Sequence, residues 1–426
     1  MRIEPAVQLV GHIAVPGDKS ISHRAVLIAA LCDGETRISG WGRSADTEAT
    51  VRAVRALGVR VDEHDVDTLR VLGVGIRGLA EPASPVDCAN SGTLMRLIAG
   101  ILAGQEGRFE LIGDESLSAR PMERVAEPLR RMGAHVETTT GRAPLVIEGG
   151  PLTAISYELP VASAQVKSAL LLAGLYARGE TTVVEPVPTR DHTELMLEAA
   201  GARVVRRAGS VSVWPAERLE LGELEVPGDF SSAAPFVVAA TLIPGSELHV
   251  HGLNLNPRRT GLLGILERMG ARITVYNRRR IGGEPAGDLD VRAAELVATE
   301  VGRDEVALTI DELPLFALAA SHAHGRSVLR GGGELRTKET DRIEAVVDGL
   351  RAIGAHVEGT RDGFRVRGVP VRPRGGVIDS RGDHRIAMLG AVAGLSSREG
   401  VEVRDAEAVA VSFPGFFELL AELEKA

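Results

Sequence analysis

Lys19, Ser20 and Arg24 bring two cations and a hydroxyl together directly after Val15-Pro-Gly-Asp18. Proline fixes φ and glycine frees it, and Asp18 is a good N-cap. The apolar run Ala25 to Leu31 that follows therefore reads as a helix whose first turn carries the charges. Free N–H groups and the dipole at a helix start attract anions, and added cations there make a phosphate or carboxylate site. Similar clusters recur. Asp87 to Arg96 contains Asn90, Gly92 and Thr93, which let backbone N–H groups approach an anion closely. Arg120 precedes Pro121, where a guanidinium can clamp a carboxylate or phosphate with paired hydrogen bonds. Val161 to Lys167 with Ser163, Ala164 and Gln165, Pro188 to His192 with Arg190, and Asp311-Glu312 follow. Gly331 to Arg342 carries Lys338, Glu339 and Arg342, and Asp383-His384-Arg385 closes the series. Each has a plainer explanation as a capped surface helix with solvated charges. Arg120 could pair with Glu123 or Glu127, Asp46 reads as a cap for the helix that includes Val51 to Leu57, and the acids at 311–312 could simply complement a dipole.

Basic-residue usage argues for the chemical reading. Among 49 lysines and arginines only Lys19, Lys167, Lys338 and Lys425 are lysines, and all but the tail residue fall in these clusters. A compact ammonium close to a reacting oxygen is not replaced by a guanidinium without consequence. Amides are as scarce, yet Asn90 and Gln165 also fall at helix starts.

The elements that must position these residues repeat. Val226-Pro-Gly-Asp229 matches Val15-Pro-Gly-Asp18, and helix starts are expected near Asp18, Ala89, Ser163, Asp229, Asp311 and Asp383. Second helices ending before Gly58, Gly133, Gly201, Gly270 and Gly354 lead into β-branched strands. Six such units in 426 residues are too much for one core. The expected division is an α/β chain of two three-unit domains, 18–228 and 1–17 plus 229–426, with the Pro-Gly breaks as crossings. Asn277 to Gly287 reads as an exposed loop without an assigned role. A net charge of −9 and 3% aromatic residues argue against a nucleic-acid surface. No run approaches the ~18 apolar residues of a membrane span. Cys32 and Cys88 are too few for a disulfide framework or a zinc site. A cytoplasmic, monomeric protein without metal or cofactor is expected.

Pro16 to Arg24, Asn90 to Thr93, Arg120-Pro-Met, Ser163 to Gln165, Lys338 to Arg342 and Asp383 to Arg385 resemble, in order and along the whole chain, the signatures of the 5-enolpyruvylshikimate-3-phosphate synthase family. The resemblance implies two domains, each three copies of a βαβαββ unit arranged as an inside-out α/β barrel. It implies transfer of the enolpyruvyl group of phosphoenolpyruvate to the 5-hydroxyl of shikimate 3-phosphate, on the route to chorismate. By resemblance, shikimate 3-phosphate is held by Lys19, Ser20, Arg24, Ser163, Ala164, Gln165, Arg190, Asp311 and Lys338. Phosphoenolpyruvate is held by Lys19, Gly92, Arg120, Gln165, Arg342 and Arg385, with Asn90 and His384 in support. Asp311 is then the base at the hydroxyl, Glu339 the proton shuttle at the methylene, and Lys19 stabilises developing charge.

Several positions depart from the best-known bacterial form. Ala164 stands where a second serine is common, Leu97 where a proline often follows, Arg190-Asp-His192 in place of a serine segment, and Val411 where many members carry lysine. These resemble a second bacterial subclass. Two alternatives stay open: the sister family that transfers enolpyruvate to UDP-N-acetylglucosamine, and a non-catalytic anion-binding scaffold. The sister family carries a cysteine five residues before the Arg-Pro pair, where this chain has Glu115.

Overall fold

The computed structural model describes residues 1–425. Its helices and strands follow from two hydrophobic patterns. Lys19–Leu31, Gly92–Leu102, Ala164–Gly174, Phe230–Leu242, Leu313–His322 and His384–Leu395 are apolar on nearly every face. Helices of that kind are stable only when surrounded. The strands instead alternate buried and exposed residues, as in Arg142–Gly149, and so can face water on one side. Helices inside and sheets outside is the arrangement that satisfies both, within each of two compact units.

One unit comprises Gly17–Val226 with Ile281–Glu284, the other Met1–Pro16, Pro227–Arg280 and Pro285–Ala426. In the first, three four-stranded sheets repeat one topology. Val86–Asp87, for example, pairs parallel with Gly107–Ile112, which pairs antiparallel with Arg142–Gly149, itself antiparallel to His135–Thr139. The helix Gly92–Leu102 makes the crossover between the parallel strands, giving a βαβαββ repeat. The other unit follows the same plan, except that its last sheet has three strands, Arg2–Ile3 beside Val401–Arg404 beside Gly376–Asp379.

The two Val-Pro-Gly-Asp breaks mark a reciprocal exchange of strands. Val10–Ala14 precedes the Lys19 helix in sequence but pairs with Glu247–Asn254, in the sheet of the Phe230 helix. Glu223–Glu225 precedes the Phe230 helix but pairs with Asp33–Ser39, in the sheet of the Lys19 helix. Each break turns the chain from a strand of one unit into a helix of the other.

Caps define most starts. Asp18, Ser163, Asp229 and Asp383 accept backbone N–H bonds from Ile21, Val166, Ser231 and Arg385. Three expectations are corrected. The start expected near Ala89 is capped by Ser91, since Ala89 sits in a left-handed turn at φ 49°. The start expected near Asp311 begins at Leu313, because a short helix, Arg303–Thr309, precedes it and Pro314 suits a first turn. The loop expected from Asn277 to Gly287 is a β-hairpin of Arg272–Ile281 and Glu284–Arg292. Gly282 and Gly283, both at positive φ, make its two-residue turn, and strand alternation was hidden there by three arginines.

Candidate active site

In the unit built on Gly17–Val226, three inner helices present their first turns. Lys19 opens the first, and its Nζ lies 2.7 Å from Asp46 Oδ2. Asp46 is thus the partner of the lysine, not the cap; Ser44 caps that helix, Ala45–Ala56, in a capping box with Thr47. Ser20 is half-buried one residue on. Arg24 is 3% exposed and fans out: Nε donates to Thr193 Oγ1 at 2.7 Å, one terminal nitrogen to Ser168 Oγ at 2.9 Å, the other to Ser20 O at 2.8 Å. Burial lowers its pKa to about 10, and the Arg190 guanidinium pushes the same way, so a second cation faces this site.

The second inner helix begins at Gly92, where a methyl group would stand 2.9 Å from an Arg96 nitrogen and 3.4 Å from one of Arg120. Two guanidiniums converge on this position. Arg96 donates to Gln165 Oε1, and Gln165 Nε2 donates to Thr93 Oγ1 at 2.9 Å, joining the second and third inner helices. Arg120 donates to Asn90 Oδ1 at 2.7 Å and Ser116 Oγ at 3.2 Å. Glu123 and Glu127 pair with Arg130 and Arg131. Ser163 caps the third helix and Ala164 opens it. Cations and amides gathered at helix first turns in this density are suited to binding anions.

In the other unit the organising residue is Arg342, fully buried at the start of the helix Arg342–Ala352. Its Nε donates to Asp383 Oδ2 at 2.7 Å. One terminal nitrogen reaches Glu339 Oε2 at 2.6 Å and the other Asp311 Oδ1 at 3.4 Å. Burial opposes its charge, but Asp383, Glu339 and Asp311 outweigh that and raise its pKa above the ordinary value. The carboxylates singled out as base and proton shuttle therefore share one guanidinium, which Asp383 of the following repeat also holds. Arg385 lies 3.8 Å from Glu312 Oε1 and 3.5 Å from Ser231 O, with its Nε buried and without a hydrogen-bond partner. His384 is buried beside it, and Lys338 and Glu339 are partly exposed in the loop after the turn Gly333–Thr337. Arg336 belongs to the scaffold, tying Asp341 and the carbonyls of Thr360 and Arg361. Val411 ends the turn Ala406–Val411.

Sequence reasoning missed Arg96, Asp383 as the main partner of Arg342, and the buried Arg259. Arg259 bonds Glu312 and Asp229, each at 3.0 Å. Arg96 had a signal, as the single cation of the Gly92–Leu102 helix, one turn in from its start; Arg259 had none, lying in a segment without a motif.

The family model for EPSP synthase (3-phosphoshikimate 1-carboxyvinyltransferase) matches residues 3–420. A 3-phosphoshikimate 1-carboxyvinyltransferase of Acidithiobacillus ferrooxidans is 50% identical over 97% of this chain and 95% of its own. That of Alkalilimnicola ehrlichii is 50% identical over 99% and 94%. The solved EPSP synthase of Acinetobacter baumannii is 42% identical with a TM-score of 0.88, covering 99% of this chain and 97% of its own. The enolpyruvyl transferase NikO of Streptomyces tendae, 19% identical with a TM-score of 0.80 over 99% of this chain and 96% of its own, shares the fold. With matches of this length and identity, the chain belongs to the EPSP synthase family, the 3-phosphoshikimate 1-carboxyvinyltransferases.

Proposed function

We propose that this chain transfers the enolpyruvyl group of phosphoenolpyruvate to the 5-hydroxyl of shikimate 3-phosphate by addition and elimination. Asp311 takes the hydroxyl proton as that oxygen bonds to C2 of phosphoenolpyruvate, while Glu339 delivers a proton to C3 and makes it a methyl group. The tetrahedral intermediate then expels phosphate from C2, and the methyl carbon returns its proton. The sum is one enolpyruvyl ether and one inorganic phosphate.

The observation that carries this reading is the Arg342 guanidinium with Asp311 and Glu339 on its two terminal nitrogens. An arriving substrate carboxylate competes with both for the same fork, which releases the base and the shuttle when substrate is present. Arg385 adds a second cation with an unused Nε. Shikimate 3-phosphate is assigned to Lys19, Ser20, Arg24, Ser163, Ala164, Gln165 and Arg190, together with Asp311 and Lys338. Phosphoenolpyruvate is assigned to Lys19, Gly92, Arg120 and Gln165, with Arg342 and Arg385; Asn90 supports Arg120 and His384 supports Arg385. Lys19 stabilises the charge that develops in addition.

The test is phosphate release from phosphoenolpyruvate. It is expected only when shikimate 3-phosphate is present and not with UDP-N-acetylglucosamine. Release without the acceptor, or none with it, overturns the reading. The same reading takes the enzyme to be a cytoplasmic monomer, which sedimentation checks for the oligomeric state. Among the described residues no helix is long and apolar enough to cross a membrane.

A further inference from the structure

Lys167 has no part in the chemistry above, yet it is one of only four lysines in the chain. It lies one helical turn beyond the Ser163 cap and is 0% exposed. Its Nζ stands 2.9 Å from Glu185 Oε1 and 2.6 Å from Glu194 Oε1, and donates to Thr189 O at 3.5 Å. Glu185 follows the strand Thr181–Val184, and Glu194 lies in the first turn of the helix His192–Ala199. The two carboxylates bracket the segment that carries Arg190. Glu185 also accepts from the Thr189 backbone N–H at 3.1 Å and from its hydroxyl, closing the segment on itself.

The neighbouring residue on the same helix continues the pattern. Ser168 Oγ accepts from Arg24 and from Thr193 Oγ1 at 2.7 Å, so the segment's far end is tied to Arg24 as well. A buried ion pair adds little net stability, because desolvation offsets attraction, but it fixes geometry strongly. Burial pushes the Glu194 carboxyl up, and Lys167 draws it part of the way back. An ammonium, with three rotatable donors, fits two carboxylates and a carbonyl where a planar guanidinium does not.

We infer that Lys167 is a positioning residue for acceptor binding: it fastens both ends of the 185–194 segment and thereby holds Arg190 against the phosphate of shikimate 3-phosphate. This rests on the assignment of Arg190 to that substrate. The experiment compares steady-state constants of the full-length enzyme and of Lys167→Met, Lys167→Met/Glu194→Gln and Arg190→Ala. The double variant removes one charge of each sign, which keeps a folded protein available if the single variant is unstable.

The double variant is expected to raise KM for shikimate 3-phosphate at least tenfold, with KM for phosphoenolpyruvate and kcat at saturating acceptor within about threefold. Arg190→Ala is expected to reproduce that split. A folded double variant with unchanged KM for the acceptor, while Arg190→Ala raises it, overturns the positioning role and leaves the substrate assignment standing. Unchanged KM in Arg190→Ala overturns the assignment and the inference with it. Loss of kcat and both KM values in parallel identifies a merely structural lysine and also overturns it.

Discussion

At the scale of residues, the carboxylates on Arg342 are the sharpest point of the reading. Asp311→Asn and Glu339→Gln preserve size and hydrogen bonding but cannot exchange the proton, so kcat is expected to fall by about 100-fold or more with smaller changes in KM. Near-normal kcat in either variant would reduce that residue to a partner of Arg342. The thiols point to the acceptor. Burial raises Cys32 to about 12 and Cys88 above its ordinary value, with Asp33 and Asp87 adding to the respective shifts. Neither thiol supplies a thiolate at neutral pH, and Glu115 occupies the position of the sister family's reactive cysteine. Fosfomycin is expected to leave both activity and intact mass unchanged. A stoichiometric adduct on Cys88 with loss of activity would contradict this.

At the scale of elements, the anion surface depends on how closely the Gly92–Leu102 and Ala164–Gly174 helices approach. A Cβ on Gly100 would lie 2.1 Å from the Ala169 carbonyl oxygen, so the approach exists only because the residue is glycine. Gly100→Ala must spread the pair, at about 1–3 kcal/mol for an overpacked core. In a unit of this size each kcal/mol lowers Tm by roughly 2–4 °C. The same spreading lengthens the Gln165 bonds to Arg96 and Thr93, so KM for phosphoenolpyruvate is expected to rise along with the fall in Tm. Calorimetry and kinetics on one preparation check both. An unchanged Tm would mean the helices are not held at this distance. The five outer helices that end before Gly58, Gly133, Gly201, Gly270 and Gly354 were legible because each glycine is at positive φ, which the other residues avoid.

At the scale of the whole molecule, each unit holds a histidine whose surroundings favour the neutral ring, His23 fully buried and His322 half-buried. His23 lies between Thr50 Oγ1 at 2.6 Å and Ser91 Oγ at 3.4 Å. Burial, then Lys19 and Arg24, depress its pKa well below the ordinary value against a smaller pull from Asp18. His322, in the other unit, is depressed chiefly by burial. Since the folded pKa is the lower one, the unfolded chain binds more protons below about pH 6.5, so stability is full above that pH and is lost as pH falls further. Tm is expected to decline from pH 7 to 5.5, and less steeply in His23→Gln and His322→Gln. A Tm that is flat across this range, or that rises on acidification, would refute the assignment.

From the amino-acid order alone come the six repeats, the helix starts with their cations, and the family signatures, because caps, glycine stops and apolar periodicity are local properties of the chain. Local rules also explain the errors. Asp46 looked like a cap because cap residues and lysine partners are the same residue types, and only the fold brings Lys19 to within 2.7 Å of it. The strand hairpin beyond Asn277 was hidden by its arginines. Tertiary structure alone decided that Arg342 gathers Asp311, 31 residues before it in sequence, with Glu339 and with Asp383 from the following repeat. It also decided that Lys167, read as one more cation at a helix start, is sealed among Glu185, Glu194 and Thr189. Burial and long-range partners set what a charge does, and neither is written in the residues beside it.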